Sequence, residues 1–155
     1  MGNKREHYVH LVCATKYRED SIPPEEEPTL YKIVTSEARK LDCDVLAIGG
    51  IGDHVHVLVQ LAPTVALSQV LNQFKGFTSS YLNDSARKSL ESKRFRWQEG
   101  YGIFSVGRNQ IDRVRQYILN QKERHASRQI WADWENTQED IYQRTKTAGP
   151  EARPS

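Results

Sequence analysis

The sequence predicts an α+β domain, an antiparallel sheet of split βαβ design with helices on one face. Three observations predict it. β-Branched and aromatic runs short enough to be strands recur along the chain. Apolar residues at helical spacing separate them. The order is strand, helix, strand, strand, helix, strand, helix, which is the order of a ferredoxin-like or RRM-like sheet.

The first strand is expected at His7 to Thr15 (HYVHLVCAT). Pro23 and Pro24 follow in a break and suit a helix entrance, with Glu25, Glu26 and Glu27 in the first turn to complement the helix dipole. Leu30, Ile33, Val34, Ala38 and Leu41 give that helix its apolar stripe. Cys43 to Ile51 reads as a strand ending in Gly49, Gly50 and Gly52, a turn signal, and Asp53 to Leu61 as the next strand. A second helix carries Leu67, Val70, Leu71, Phe74, Phe77 or Thr78, and Tyr81. Asn83 to Ser92 is polar and reads as a loop. A short strand fits Gly102 to Val106, and a third helix fits Asn109 to about Arg124, with Ile111, Val114 and Ile118 on one stripe. Beyond it, Trp131, Trp134, Ile141 and Tyr142 suggest a short docking helix at 126–143. Residues 144–155 are expected to be disordered.

Composition narrows the class. The chain of 155 residues is 37% hydrophobic and 27% charged, ordinary for a soluble globular domain with one core. Its two cysteines, Cys13 and Cys43, form no CxxC pair, so neither a disulfide framework nor a zinc knuckle is expected and a reducing cytoplasm is the default. No apolar run approaches the roughly 20 residues that span a bilayer, and MGNKREH has no signal core, so no membrane partner is expected. The net charge of +2 does not announce nucleic acid, but the charge is segregated. Residues 19–27 hold five acids and no base, whereas residues 87–96 hold Arg87, Lys88, Lys93, Arg94 and Arg96 against Glu91. Such a surface permits phosphate binding on one side, and fits a solvated charged face as well.

Chemistry concentrates in two places. In DHVHVLVQL, alternation sends Val55, Val57, Val59 and Leu61 to one face and His54, His56, Leu58 and Gln60 to the other. Two imidazoles two residues apart on one face lie about 7 Å apart along the strand and can converge on one divalent ion. A half-exposed pair on an open sheet would give the same pattern. In the third helix, Tyr117 and Gln121 stack one turn apart, flanking the apolar stripe. Tyr117 can then place its hydroxyl in a cleft and Gln121 can offer a neutral oxygen to a cation. A packed ring with a wet hydroxyl and a surface amide are the plainer readings. The glycines of GYGIFSVG permit close approach of another backbone, from a subunit, DNA or a packed helix.

Taken together, these stretches resemble a known family. DHVHVLVQL is similar to the histidine–hydrophobic–histidine motif of HUH nucleases. WQEGYGIFSVG and VRQYILNQKERH resemble the tyrosine-helix region of the single-tyrosine transposases of small insertion sequences, the IS two-hundred-like group. HLVCATKYRE resembles their first strand and turn, so the resemblance spans roughly Tyr8 to His125. It implies a catalytic domain over 1–125, with the catalytic tyrosine, Tyr117, on a C-terminal helix. His54, His56 and Gln121 would be the ligands of a divalent metal, Mg²⁺ or Mn²⁺. Relatives often carry two adjacent histidines near KERH, and here only His125 is present, so it is expected on the apolar stripe with a structural role.

The implied activity is that of a DNA transposase cleaving and rejoining single-stranded DNA at hairpin-bearing element ends through a 5′-phosphotyrosine. Such a link conserves the bond energy, in keeping with a chain that has no GxxxxGK[ST] loop. One tyrosine serves one cleavage, so a homodimer is implied. A cytoplasmic, nucleoid-associated location follows. Lys16, Arg18, Lys75 and Arg108 are the candidate DNA-binding residues, being basic and near predicted strand ends or helix starts. Two alternatives stay open: a domesticated relative acting on chromosomal repeat hairpins, with identical chemistry, and a noncatalytic single-strand-binding module. The latter class stacks bases on aromatic residues, and the central strand here offers histidines and aliphatics instead.

Overall fold

The computed structural model describes residues 4–86, 93–127 and Glu135. Four strands, β1 (Tyr8–Ala14), β2 (Asp44–Ile51), β3 (His54–Gln60) and β4 (Gly102–Val106), form one sheet in the order β2-β3-β1-β4. Every neighbouring pair is antiparallel. The helices are α1 (Glu27–Lys40), α2 (Leu67–Ala86), α3 (Ile111–Leu119) and α4 (Gln121–Ala126). This is the split βαβ sheet that the sequence predicts, and β4 occupies the residues expected of it.

α1 and α2 cover one face. Val9, Leu11 and Cys13 of β1 and Val55, Val57 and Val59 of β3 pack there with Leu30, Val34, Ala38, Val70, Leu71 and Phe74. On α2 it is Thr78 that is buried, whereas Phe77 is exposed, which settles the alternative left by the spacing. α1 starts later than expected. Pro24–Glu26 form a 3₁₀ turn and Glu27 opens the α-helix. It ends where Asp42 turns to a φ of 55° and the Cys43 N–H donates to the Ala38 carbonyl at 2.9 Å. Asp is among the few residues that visit this left-handed conformation readily.

The other face receives α3. Val114 and Ile118 pack with Ala47, Leu58 and Val106 in a second, smaller cluster. The face opposite the main helices is therefore a floor on which the tyrosine helix rests. Gly49 makes this possible: a Cβ there would sit 2.3 Å from the Ile118 carbonyl oxygen. Gly49 and Gly50 lie inside β2, paired with His56 and Val55, and the turn falls at Gly52–Asp53.

The third helix, expected without interruption from Asn109 to about Arg124, breaks at Asn120 (φ −101°, ψ 22°), so α3 and α4 are separate pieces. Of the docking helix expected at 126–143, only Ala126, Ser127 and Glu135 fall among the described residues; the tail expected at 144–155 lies outside them.

Candidate active site

Register builds the site. Ala14 pairs with His54 and Val12 with His56, so β1 and β3 present His10, His54 and His56 on the α3 face. All three are buried. α3 lays Tyr117 beside them, fully buried, with its ring edge-on to His56 at 5.8 Å between centroids. Gln121, the first residue of α4, is also buried, and its Oε1 lies 3.2 Å from His54 Nε2. The sequence-based candidates Tyr117, His54, His56 and Gln121 are thus brought together. Tyr117 lies in the interior rather than at the edge of the helix contact, and Gln121 is no surface amide.

Three residues join them that the sequence reading did not assign to the site. Glu135 directs Oε2 to His54 Nε2 at 2.8 Å and to His56 Nε2 at 3.2 Å, while Oε1 accepts a hydrogen bond from the Tyr117 hydroxyl. His125, expected on the apolar stripe, instead sets Nε2 at 3.0 Å from Gln121 Oε1 and 3.3 Å from Glu135 Oε2. His10 places Nε2 2.8 Å from His56 Nδ1. The signal for His10 was strand alternation within β1, usable only once the register with β3 is known. Glu135 carried none, because the apolar pattern fades in its neighbourhood.

The outer nitrogens of both β3 histidines are occupied. His54 Nδ1 donates to the Asp53 carboxylate at 2.6 Å, and His56 Nδ1 meets His10. Each leaves Nε2 facing the centre, with its partner on the outer Nδ1 orienting the ring. Electrostatics separates the rings. Burial opposes charging His54, but the Asp53 and Glu135 carboxylates prevail and raise its pKa to about 9. Burial, reinforced by the nearby His54 charge against the pull of Glu135, lowers His56 to about 4. Burial and His56 hold His10 at about 3. Burial disfavours the Glu135 carboxylate, yet His54 and His56 hold it far below the usual carboxylate range.

This donor set suits a divalent cation. Among the described residues, His54, His125 and Glu135 offer ligand atoms that all lie within 4.8 Å of one another. The inward-facing atoms of His54, His56, His125, Gln121 and Glu135 stand 2.8–3.3 Å apart in the contacts given above. Neighbouring ligands on an octahedral cation with bonds of about 2.1 Å are separated by about 3 Å. Imidazole nitrogens with amide and carboxylate oxygens match Mn²⁺ chemistry, with the oxygens also suited to Mg²⁺.

The four basic candidates do not converge. A tight turn after β1 holds Tyr17 and Arg18 at φ 57° and 53°, a left-handed conformation that costs roughly 1–2 kcal/mol per residue. It returns Arg18 to the site, where Nη2 donates to the Glu135 carbonyl and Nη1 lies 4.0 Å from Asp53. Lys16 lies 5.4 Å over the Tyr17 ring on the same turn. Lys75 sits on the α1/α2 side, donating to the carbonyls of Gln98, Glu99 and Gly100 at 2.8, 3.3 and 2.9 Å. Arg108 follows β4 at the opposite end of the sheet from His54, 3.4 Å from Glu6 and largely exposed.

No helix among the described residues is long and apolar enough to cross a membrane. Comparison with known proteins agrees with the fold and extends it. The transposase for insertion sequence element IS200 of Salmonella typhimurium is 26% identical over 117 residues, covering 74% of this chain and 76% of that protein. The ISDra2 transposase TnpA of Deinococcus radiodurans is 25% identical over 118 residues, covering 74% and 84%. A crystal structure of a transposase candidate from Deinococcus radiodurans superposes with a TM-score of 0.59 at 24% identity, over 78% of this chain and 98% of that one. A REP-associated tyrosine transposase bound to a REP hairpin superposes with a TM-score of 0.60 at 13% identity, over 81% and 74%. The family described as "Transposase IS200 like" matches residues 3–121, and the chain belongs to that family.

Proposed function

We propose that this transposase cleaves and rejoins single-stranded DNA with Tyr117 as the nucleophile, beside a divalent cation held by His54, His56 and Gln121. The observation that carries this reading is the convergence of a buried phenol, two strand-borne imidazoles and an amide oxygen in one cluster. When bound, the cation would polarise the scissile phosphate and offset its charge. Mg²⁺ and Mn²⁺ both fit the donors.

The protein's own groups prepare the reaction. Asp53 and His10 each engage the Nδ1 of a ligand ring, so that its Nε2 is the nitrogen left for the cation once bound. His10 is suited to accept because burial keeps it neutral. The Arg124 guanidinium lies 4.8 Å over the Tyr117 ring and favours developing phenolate charge. A phenol near pKa 10 is a weak nucleophile until such help is given. In the transfer, Tyr117 Oη loses its proton and bonds to phosphorus. The P–O3′ bond breaks, and O3′ takes up a proton. A 5′-phosphotyrosine and a free 3′-hydroxyl result, and attack by another 3′-hydroxyl reverses the step without ATP.

Single-stranded DNA bearing hairpins is the proposed substrate. The REP-associated neighbour, similar in fold alone, is bound to a REP hairpin. Arg18 and Lys16 border the site and are the proposed contacts to the cleaved strand, with Arg108 reaching phosphates farther away. A homodimer supplies the two tyrosines that excision of an element needs. Residues 1–125 form the catalytic domain, and Glu135 from beyond them reaches the site. Labelled single-stranded DNA from the genomic flanks, incubated with the protein and Mn²⁺, should yield a band that survives denaturation. The band should disappear with Tyr117→Phe and with EDTA. Its persistence in Tyr117→Phe would remove Tyr117 as nucleophile.

A further inference from the structure

The most crowded group in the site is Glu135, the described residue farthest along the chain, and its two oxygens face different partners. Oε2 lies 2.8, 3.2 and 3.3 Å from the Nε2 atoms of His54, His56 and His125. Oε1 accepts from the Tyr117 hydroxyl and lies 3.4 Å from Gln121 Nε2. The residue is 6% exposed, and its main-chain carbonyl accepts from Arg18. A buried carboxylate so placed is held at both ends and, among the described residues, satisfied by this cluster.

We infer that Glu135 is an additional metal ligand whose second oxygen positions the nucleophile, so that one carboxylate couples the cation to Tyr117. This rests on the metal and tyrosine roles proposed above.

Charge supports it. Neutral imidazoles and an amide give a dication no compensating charge, and Glu135 supplies one negative charge within a largely buried cluster. Geometry supports it too. Gln121 turns Oε1 toward His54 and His125 and Nε2 toward Glu135 Oε1, so the oxygens that face the imidazoles are Gln121 Oε1 and Glu135 Oε2. The same carboxylate that would bind the cation also accepts from the phenol, which fixes the hydroxyl relative to the metal. A ligand from beyond α4 also makes the catalytic centre depend on a residue outside 1–125.

The test is a Mn²⁺ titration of the full chain, read by calorimetry and by the free-ion electron paramagnetic resonance signal. Wild type, Glu135→Gln, Glu135→Asp and His54→Ala are compared, with circular dichroism to verify folding. Glu135→Gln should bind Mn²⁺ at least about tenfold more weakly than wild type. Saturating Mn²⁺ should leave its covalent DNA adduct forming slowly, because the hydroxyl is no longer held. If Glu135→Gln does not fold, Glu135→Asp carries the test, with affinity below wild type expected. Equal or tighter Mn²⁺ binding in the folded variants would overturn the inference, making the carboxylate a competitor of the cation. If His54→Ala weakens Mn²⁺ while Glu135 variants do not, this inference alone fails. If wild type binds no Mn²⁺, the metal site itself fails with it.

Discussion

The two faces of the sheet are made by the same strands and do opposite work. Along β3, Val55, Val57 and Val59 face α1 and α2, and His54 and His56 face α3. The first face is aliphatic and stabilises by removing apolar surface from water, at about 25 cal/mol per Å². The second buries imidazoles and carboxylates whose desolvation must be met by partners. The difference teaches that a strand's alternation can divide stability from chemistry residue by residue. The separation is incomplete, because Leu58 and Ile118 also fasten the chemical face.

Breaking the comparison on the chemical side should give the largest effect. Tyr117→Phe keeps the ring and removes the hydroxyl, so DNA cleavage should fall by roughly 10³-fold or more. Urea unfolding should show a loss of about 1–3 kcal/mol, since the buried Glu135 oxygen loses its donor. On the aliphatic side, Leu30→Ala empties a fully buried position and should cost about 2–5 kcal/mol in urea unfolding. At a temperature where it is folded, its adduct yield should match wild type, and a collapse of yield there would refute the division of labour.

Gly49→Ala probes the seam between them. Its Cβ would meet the Ile118 carbonyl, and backbone must shift. The cost should be about 1–3 kcal/mol. Unlike Leu30→Ala, it should also slow cleavage per folded molecule, because α3 carries Tyr117. Acid should act on the chemical face as well. His56 and His10 have folded pKa values of about 4 and 3, below 6.5 in the unfolded chain, so the unfolded state binds more protons between those limits. Stability of the metal-free protein should therefore decline as pH falls from 6.5 toward 4, by roughly 1.4 kcal/mol per pH unit per proton. His54 has the opposite sign: its pKa of about 9 lies above the unfolded value, so its contribution is complete below 6.5 and is lost as pH rises through 9. Urea titrations across this range check both slopes. The smallest effect belongs to Arg108→Ala, whose side chain is largely exposed. Stability should change by no more than about 0.5 kcal/mol, and the salt dependence of DNA binding should lose about one phosphate contact.

Much of this division was legible in the chain. The alternation in DHVHVLVQL assigns the two faces of β3, and the spacing of Ile111, Val114 and Ile118 gives the side of α3 that packs. What local pattern could not supply was long-range placement. His10 joins His56 through register, a property of two strands. His125 reaches Gln121 and Glu135 past a break at Asn120 that helical periodicity does not reveal. Lys75 looked like a phosphate contact, yet three main-chain carbonyls surround its ammonium group. Glu135 lies past the last clear apolar stripe, and only the folded chain brings it to Tyr117.

If Tyr117 is the nucleophile, one particular tyrosine of the chain's seven becomes bonded to DNA. The direct measurement is tandem mass spectrometry of the adduct after nuclease and protease digestion. A nucleotide is expected on the peptide containing Tyr117. A nucleotide on Tyr101, Tyr142 or any other residue would contradict it.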